Sequence, residues 1–155
     1  MRVQSLGHVV VKVHSAQRSE AFYSGILGIP VVSRISEPVR MTFFSLGSGH
    51  HHDFAVLEVG DDAPAPDSGA TGLAHVAFKI GDSLEEYRSA EADLNAAQIT
   101  VLYTAERTHT KSLHLHDPDG NEVELYVDSP DSGVLARSQP RSDSSRPMDL
   151  SRSTF

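Results

Sequence analysis

Two histidines occupy matching places in two similar stretches of the chain. His8 is the third residue of LGHVVVKV, and His75 is the third residue of LAHVAFKI. The last apolar stretch, NEVELYV, alternates Glu122 and Glu124 with valine and leucine. Two imidazoles and one carboxylate form a donor set that holds Fe(II) or Mn(II) while leaving coordination positions open for other molecules. These residue types therefore predict a divalent metal site.

The metal-binding side chains are expected to share one side of a sheet, because the side chains of a strand alternate between its two faces. In the first stretch Val9, Val11 and Val13 form an apolar face, whereas His8 lies on the opposite face with Lys12. The second stretch and the glutamate stretch repeat this alternation. We expect the apolar faces to pack under helices and the histidines and glutamates to lie on the open side.

The elements that follow the two similar stretches also repeat. The first stretch precedes a predicted helix that is capped by Ser15 and ended by Gly28 and Pro30, and three short strands follow it. The second precedes a helix that begins with the capping box Ser83–Glu86, again followed by three short strands. Each half therefore reads β-α-β-β-β, which indicates an internal duplication.

The duplication predicts how the 155 residues are organised. Residues 1–128 form one domain, made of module one at 1–60, a Pro/Gly/Asp/Ala linker at 61–72 and module two at 73–128. Residues 129–155 are rich in Ser, Pro and Arg with few large apolar residues, so a flexible tail is expected there.

Charge and composition limit the kinds of molecule that the protein is expected to bind. The formal net charge is −8 and cysteine is absent, which argues against nucleic-acid binding and excludes disulfides and thiolate catalysis. The apolar run at Val9–Val11 is far too short for a signal sequence or a membrane span. We expect a cytoplasmic protein that acts on a small molecule and binds neither nucleic acid nor membrane.

Four stretches, LGHVVVKV, FYSGILGIPVV, LAHVAFKI and HDPDGNEVELY, together resemble the vicinal oxygen chelate superfamily. This superfamily includes glyoxalase I, extradiol dioxygenases, and fosfomycin and bleomycin resistance proteins, and the resemblance covers about residues 3–128. It implies an α+β fold in which two βαβββ modules pair into an open, cup-shaped mixed sheet around one metal. It also implies that His8, His75 and Glu124 are the ligands, rather than Glu122.

The stretch GHHHDFAVLEVG is compatible with two kinds of chemistry. Its HHDFAV part resembles an extradiol stretch whose histidine acts as acid or base beside the metal, and this role falls on His52. Its AVLEV part resembles the glyoxalase I strand that supplies a fourth ligand, and this role falls on Glu58. Strand parity places both side chains on one face about 20 Å apart, so both cannot act at one metal ion.

The second module favours the dioxygenase. Its sequence THTKSLHLHDPDGNEVELY resembles an extradiol stretch in which a tyrosine precedes the ligand hairpin, although His114 stands in the place of that tyrosine. The resemblance also implies a basic substrate-binding residue upstream, where the chain has Arg107 and His109. Lys12 lies on the predicted open side, where it could favour an anionic substrate.

The sequence thus predicts an extradiol-type dioxygenase. A catechol-like aromatic substrate would bind through two vicinal oxygens, and O₂ would be the second substrate. Fe(II) is the expected metal and Mn(II) the next, with His52 as acid or base and His114 bonded to a substrate oxygen. Two alternatives stay open: a glyoxalase I-like isomerase with Ni(II) or Zn(II) and Glu58, and a small-molecule binding or resistance protein. A homodimer is expected, because one pair of modules leaves sheet edges open.

Overall fold

The computed structural model describes residues 1–67 and 69–128, and the predicted tail at 129–155 lies outside the described residues. Module one has the predicted β-α-β-β-β order. Its elements are β1 (Val9–Val13), α1 (Ala16–Glu20) continued by a π-helical segment (Ala21–Ile26), β2 (Val31–Ile35), β3 (Met41–Phe44) and β4 (Phe54–Glu58).

Module two repeats this order, as the duplication predicts. Its elements are β5 (Val76–Gly81), α2 (Leu84–Ala96), β6 (Val101–Arg107), β7 (Thr110–His116) and β8 (Glu122–Asp128).

Each module contributes a four-stranded mixed sheet. The strand order is β1-β4-β3-β2 in the first sheet and β5-β8-β7-β6 in the second. β1 is parallel to β4 and β5 is parallel to β8, whereas the other neighbours are antiparallel. The predicted α+β fold of two βαβββ modules is confirmed. In the described part of the chain the two sheets remain separate, so β1 and β5 are both edge strands.

Both predicted helix N-caps are confirmed. The Ser15 hydroxyl accepts a hydrogen bond from the backbone N–H of Arg18, and the Ser83 hydroxyl accepts one from the N–H of Glu86. Gly28 ends the first helical region with a φ of 71°, which favours glycine. Among the described residues, no helix is both long and apolar enough to cross a membrane.

The apolar faces of the two modules pack against each other and form one core. Val13, Phe54 and Tyr23 of module one are each about 1% exposed. The ring of Phe54 lies 4.7 Å from that of Tyr23 and 5.4 Å from that of Phe78 in module two. Because the core uses the helix-side face of each sheet, the histidine and glutamate positions are left on the opposite faces.

A buried polar contact also joins the modules. The turn Asp117–Gly120, which leads into β8, docks against the first helical region. Tyr23 donates a hydrogen bond to the Asp117 carboxylate at 3.0 Å. Asp119 is 8% exposed, and its carboxylate contacts the side chains of His14 and Arg18. We call this the inter-module clamp.

The clamp shifts the pKa values of two of its members. A hydrogen bond to the backbone carbonyl of Ala63 and another to Asp119 raise the pKa of His14 above 6.5. Burial alone would raise the pKa of Asp119, but hydrogen bonds to His14 and the charge of Arg18 outweigh it and hold that pKa below 3.8.

We expect the His14–Asp119 pair to stabilise the fold most between about pH 4 and pH 6.5. Asp119, whose folded pKa is lowered, loses its contribution as the pH falls through that pKa. His14, whose folded pKa is raised, loses its contribution as the pH rises through that pKa. Urea unfolding of wild type and Asp119→Asn from pH 3 to pH 9 should show the largest loss of unfolding free energy in the variant near pH 5.5.

The control variant is Asp62→Asn, because Asp62 is exposed. It should match wild type throughout. An Asp119→Asn penalty of equal size at every pH would contradict the role given to the ion pair.

Candidate functional site

Two of the three predicted metal ligands lie together in module two. His75 directly precedes β5, and Glu124 lies within β8, the neighbouring parallel strand. His75 Nε2 is 3.1 Å from Glu124 Oε2. Val123 and Leu125, on either side of Glu124, are buried in the core. Glu124 therefore lies on the face away from the core, as the alternation predicts.

The third predicted ligand lies in module one. His8 directly precedes β1 and is exposed. The centre of its ring is 4.3 Å from that of His52 and 6.2 Å from that of His51. Across residues 1–67 and 69–128, no group of three His, Asp or Glu side chains is arranged to hold a metal ion. One chain thus presents a donor pair in module two and a single donor in module one.

The donor chemistry nevertheless fits a divalent metal. An imidazole nitrogen 3.1 Å from a carboxylate oxygen supplies two ligands of the type that non-haem Fe(II) and Mn(II) accept. His8 would supply the second imidazole of that donor set. It stands beside edge strand β1, just as His75 stands beside edge strand β5. An edge strand can pair with a strand of another molecule.

His52, the predicted acid or base, lies next to His8. Its ring packs against Phe43 with 4.9 Å between ring centres, and its Nε2 is buried without a hydrogen-bond partner among the described residues. Burial lowers the pKa of His52, and the nearby His51 and His8 lower it further. The structure therefore brings His52 and His8 together, as the extradiol hypothesis expects.

Glu58, the predicted alternative ligand, faces the helix side of the first sheet. Its carboxylate accepts a hydrogen bond from the backbone N–H of Ala16 at 3.0 Å, at the start of α1, and a longer one from Arg40 at 3.5 Å. It is paired in register with Val13, which is 1% exposed in the core. Glu58 therefore caps a helix in this structure.

The prediction that His52 and Glu58 share a face is wrong. Strand alternation begins only at Phe54, because the chain bends just before it. The Asp53 carboxylate holds this bend by accepting hydrogen bonds from the Ser45 hydroxyl and the backbone N–H of Leu46. His52 lies before the bend, so parity counted along a continuous strand does not apply to it.

His114 lies beneath a tyrosine that the sequence reasoning missed. The ring of Tyr103, from β6, stacks on that of His114 with 4.2 Å between centres and an angle of 14°. His114 is 5% exposed, whereas Tyr103 is 45% exposed. Tyr103 becomes the partner of His114 through a register shift between Val101 and Tyr103. This shift could not be read from residue spacing.

Glu122 joins the same group of side chains. Its Oε1 atom lies 2.6 Å from the Tyr103 hydroxyl and 2.8 Å from His114 Nδ1. Burial alone would raise the pKa of Glu122, but these two hydrogen bonds outweigh it and hold the pKa below its ordinary value. Burial and the Glu122 carboxylate raise the pKa of Tyr103. The sheet face that carries Glu124 therefore also carries polar side chains that are not predicted ligands.

The predicted substrate-binding residues lie in other parts of the fold. Arg107 ends β6 and is paired in register with Thr110, and His109 lies in the turn between them, with a buried Nδ1. Lys12 is exposed on β1, and its backbone carbonyl accepts a 3.5 Å hydrogen bond from Asn121. Substrate binding by Arg107, His109 and Lys12 stays a prediction.

Curated relatives include two dioxygenases and a glutathione transferase. The chain is 30% identical over 127 residues to biphenyl-2,3-diol 1,2-dioxygenase 3 of Rhodococcus globerulus, covering 80% of this chain and 63% of the relative. It is 28% identical to catechol-2,3-dioxygenase of Bacillus subtilis, covering 82% and 42%. Glutathione transferase FosA of Serratia marcescens is 27% identical, covering 82% and 83%. The chain therefore spans less than two thirds of either dioxygenase.

Solved structures share the fold. A glyoxylase/bleomycin resistance protein/dioxygenase domain from Frankia sp. EAN1pec superposes with a TM-score of 0.69 at 20% identity, covering 82% of this chain and 99% of that one. The fosfomycin resistance protein FosX of Listeria monocytogenes, in a complex with Mn(II), gives 0.65 at 16% identity, covering 86% and 99%.

A family model matches residues 5–125, which span most of both modules and include all three predicted ligands. The chain therefore belongs to the Glyoxalase/Bleomycin resistance protein/Dioxygenase superfamily.

Proposed function

We propose that the protein is an extradiol-type dioxygenase that acts on a catechol-like aromatic substrate. The observation that carries the proposal is the contact between His52 and His8, 4.3 Å between ring centres. An acid or base beside a metal ligand is what ring cleavage requires. The competing glyoxalase I-like reaction needs Glu58 as a ligand, and the Glu58 carboxylate is instead bonded to the start of α1.

The comparisons support the same class of reaction. Two of the relatives are named as dioxygenases of vicinal aromatic diols. The matched region spans 63% and 42% of their lengths.

The side chains of the site have separate tasks in this proposal. His8, His75 and Glu124 would hold Fe(II), or else Mn(II), which as a Lewis acid would lower the pKa of the substrate hydroxyls. His52 would accept a hydroxyl proton at Nε2, an atom that has no partner among the described residues. The ring of Phe43 holds the His52 ring in place. His114 would form a hydrogen bond with a substrate oxygen.

We further propose that the active unit is a homodimer whose metal site is shared. His8 of one copy would join His75 and Glu124 of the other, because one chain keeps His8 apart from that pair. Pairing of edge strand β1 with edge strand β5 of a second copy would bring the open faces of two sheets together. Size-exclusion chromatography showing a monomer would contradict this arrangement.

His52→Ala is expected to lower catechol-dependent oxygen uptake at least 100-fold, because a positioned acid or base contributes about 10² to 10⁴ in rate. Uptake should be measured after anaerobic loading with Fe(II), using catechol and biphenyl-2,3-diol. The matched control is His50→Ala, because His50 is exposed in the same loop. Its rate should stay within about twofold of wild type.

Two results would contradict the proposal. If the loaded wild-type protein consumes no oxygen with any catechol, the dioxygenase is excluded. If His52→Ala and His50→Ala behave alike, the role of His52 is excluded.

The second candidate is a small-molecule resistance function. It is favoured by the similarity to glutathione transferase FosA, which is 27% identical over 82% of this chain. The same preparation, loaded with Mn(II), should then be incubated with fosfomycin and glutathione. Loss of the free thiol, without oxygen uptake on catechols, would move the assignment to this class.

A further inference from the structure

The contacts around His114 indicate which of its two ring nitrogens carries a proton. Glu122 Oε1 lies within hydrogen-bond distance of both the Tyr103 hydroxyl, at 2.6 Å, and His114 Nδ1, at 2.8 Å. An ionised carboxylate is only an acceptor. Both neighbours must therefore donate to the same oxygen atom, and His114 must carry a proton on Nδ1.

In the neutral form of this imidazole the other nitrogen, Nε2, is an acceptor, because a neutral imidazole has one donor and one acceptor nitrogen. The Ser112 hydroxyl lies 3.2 Å from His114 Nε2, and a hydroxyl can donate to it. Nε2 also lies 3.7 Å from Glu124 Oε1, which is too long for a hydrogen bond. The acceptor nitrogen thus points toward the pair formed by His75 and Glu124.

We propose that Glu122 is a positioning residue that holds His114 with its proton on Nδ1 and directs Nε2 toward the pair formed by His75 and Glu124. A substrate hydroxyl bound beside that pair would donate a hydrogen bond to Nε2 in place of the Ser112 hydroxyl. The Glu122 carboxylate at Nδ1 would keep Nε2 in this orientation. This inference rests on the proposed function, and it makes His114 the acceptor in its hydrogen bond with the substrate.

The surroundings favour a single orientation of the ring. Tyr103 covers one face of His114, and the ring of His75 meets it nearly edge-on, at 85° with 5.7 Å between centres. The side chain of His114 is 7% exposed. Flipping the ring would place a C–H group against the Glu122 carboxylate and leave two polar atoms unpaired, which is costly in a buried place.

The tautomer can be measured without metal or substrate. In metal-free protein labelled with ¹⁵N-histidine, long-range ¹H–¹⁵N spectra at about pH 8.5 should show His114 with its proton on Nδ1 in wild type. Glu122→Ala should populate the form with the proton on Nε2. Glu122→Gln, which keeps one acceptor oxygen, should retain the wild-type form. His114→Gln identifies the signal.

Two controls separate positioning from general damage. Glu106→Ala removes an exposed glutamate of β6 whose partner is Lys111, 3.7 Å away, and should leave the His114 signal unchanged. Tyr103→Phe keeps the ring that covers His114 and removes only the hydroxyl, so the tautomer should persist. Circular dichroism verifies that each variant is folded.

In the loaded enzyme, Glu122→Ala is expected to lower kcat about 10-fold with KM within about twofold, and Glu122→Gln should recover most of the rate. A wild-type His114 with its proton on Nε2, or a tautomer unchanged in Glu122→Ala, would overturn the inference. A wild-type enzyme without oxygen uptake would overturn the proposed function alone, because the tautomer is read from metal-free protein.

Discussion

Glu124→Gln is expected to weaken Fe(II) or Mn(II) binding by about 100-fold or more, because the variant removes the anionic donor from a set of two imidazoles and one carboxylate. The amide keeps the size of the side chain, so packing beside Val123 and Leu125 should be preserved. Anaerobic titration calorimetry gives the affinity, and elemental analysis of the purified protein gives the metal content. Oxygen uptake should fall with the metal content.

Glu122→Gln is the matched control for this prediction. It makes the same chemical change two residues away on the same face of β8, and it should leave metal affinity within about 10-fold of wild type. If Glu122→Gln loses the metal and Glu124→Gln keeps it, the ligand has been assigned to the wrong glutamate. If both variants keep it, neither carboxylate is a ligand.

Two inactive variants are expected to restore activity to each other when mixed. In a dimer with shared sites, His8→Ala and Glu124→Gln each damage both sites. A mixed dimer places both changes in one site and leaves the other intact. Random exchange makes about half of the dimers mixed, so the mixture should reach about a quarter of wild-type activity.

The chains should be mixed under mild denaturation and refolded, since exchange requires the dimers to separate. The control mixture is His75→Ala with Glu124→Gln, two changes in the same module. It should stay inactive, because both residues come from the same copy in every site. Equal recovery in both mixtures would contradict the shared site, and no recovery in either would place all three ligands in one chain.

The sequence was sufficient to predict the fold and the two faces of β8. The matching stretches around His8 and His75 predicted the duplication, and both modules have the predicted order of elements. Alternation in NEVELYV correctly placed Val123 and Leu125 in the core and Glu124 on the opposite face. These predictions succeed because strand periodicity and helix capping depend only on residues that are close together in the sequence.

The parts that depend on register or on contact between distant elements could not be predicted. The bend at Asp53 separates His52 from the alternation of β4, and a register shift brings Tyr103 over His114. The position of His8 relative to His75 depends on how the two modules pack, and local sequence patterns do not determine this packing.

The inter-module clamp should keep the two modules associated even when the chain between them is cut. The turn that precedes the strand carrying Glu124 is held from the other module by Tyr23 and by contacts to Asp119. The shared core, with Phe54 against Phe78, adds to this hold. These contacts should hold the two halves together even when the chain is cut within residues 61–72 at a point away from Ala63, whose carbonyl contacts His14. A chain cut there, or two halves expressed as separate polypeptides, should reassemble into a native-like particle, which size-exclusion chromatography of the mixed halves would detect.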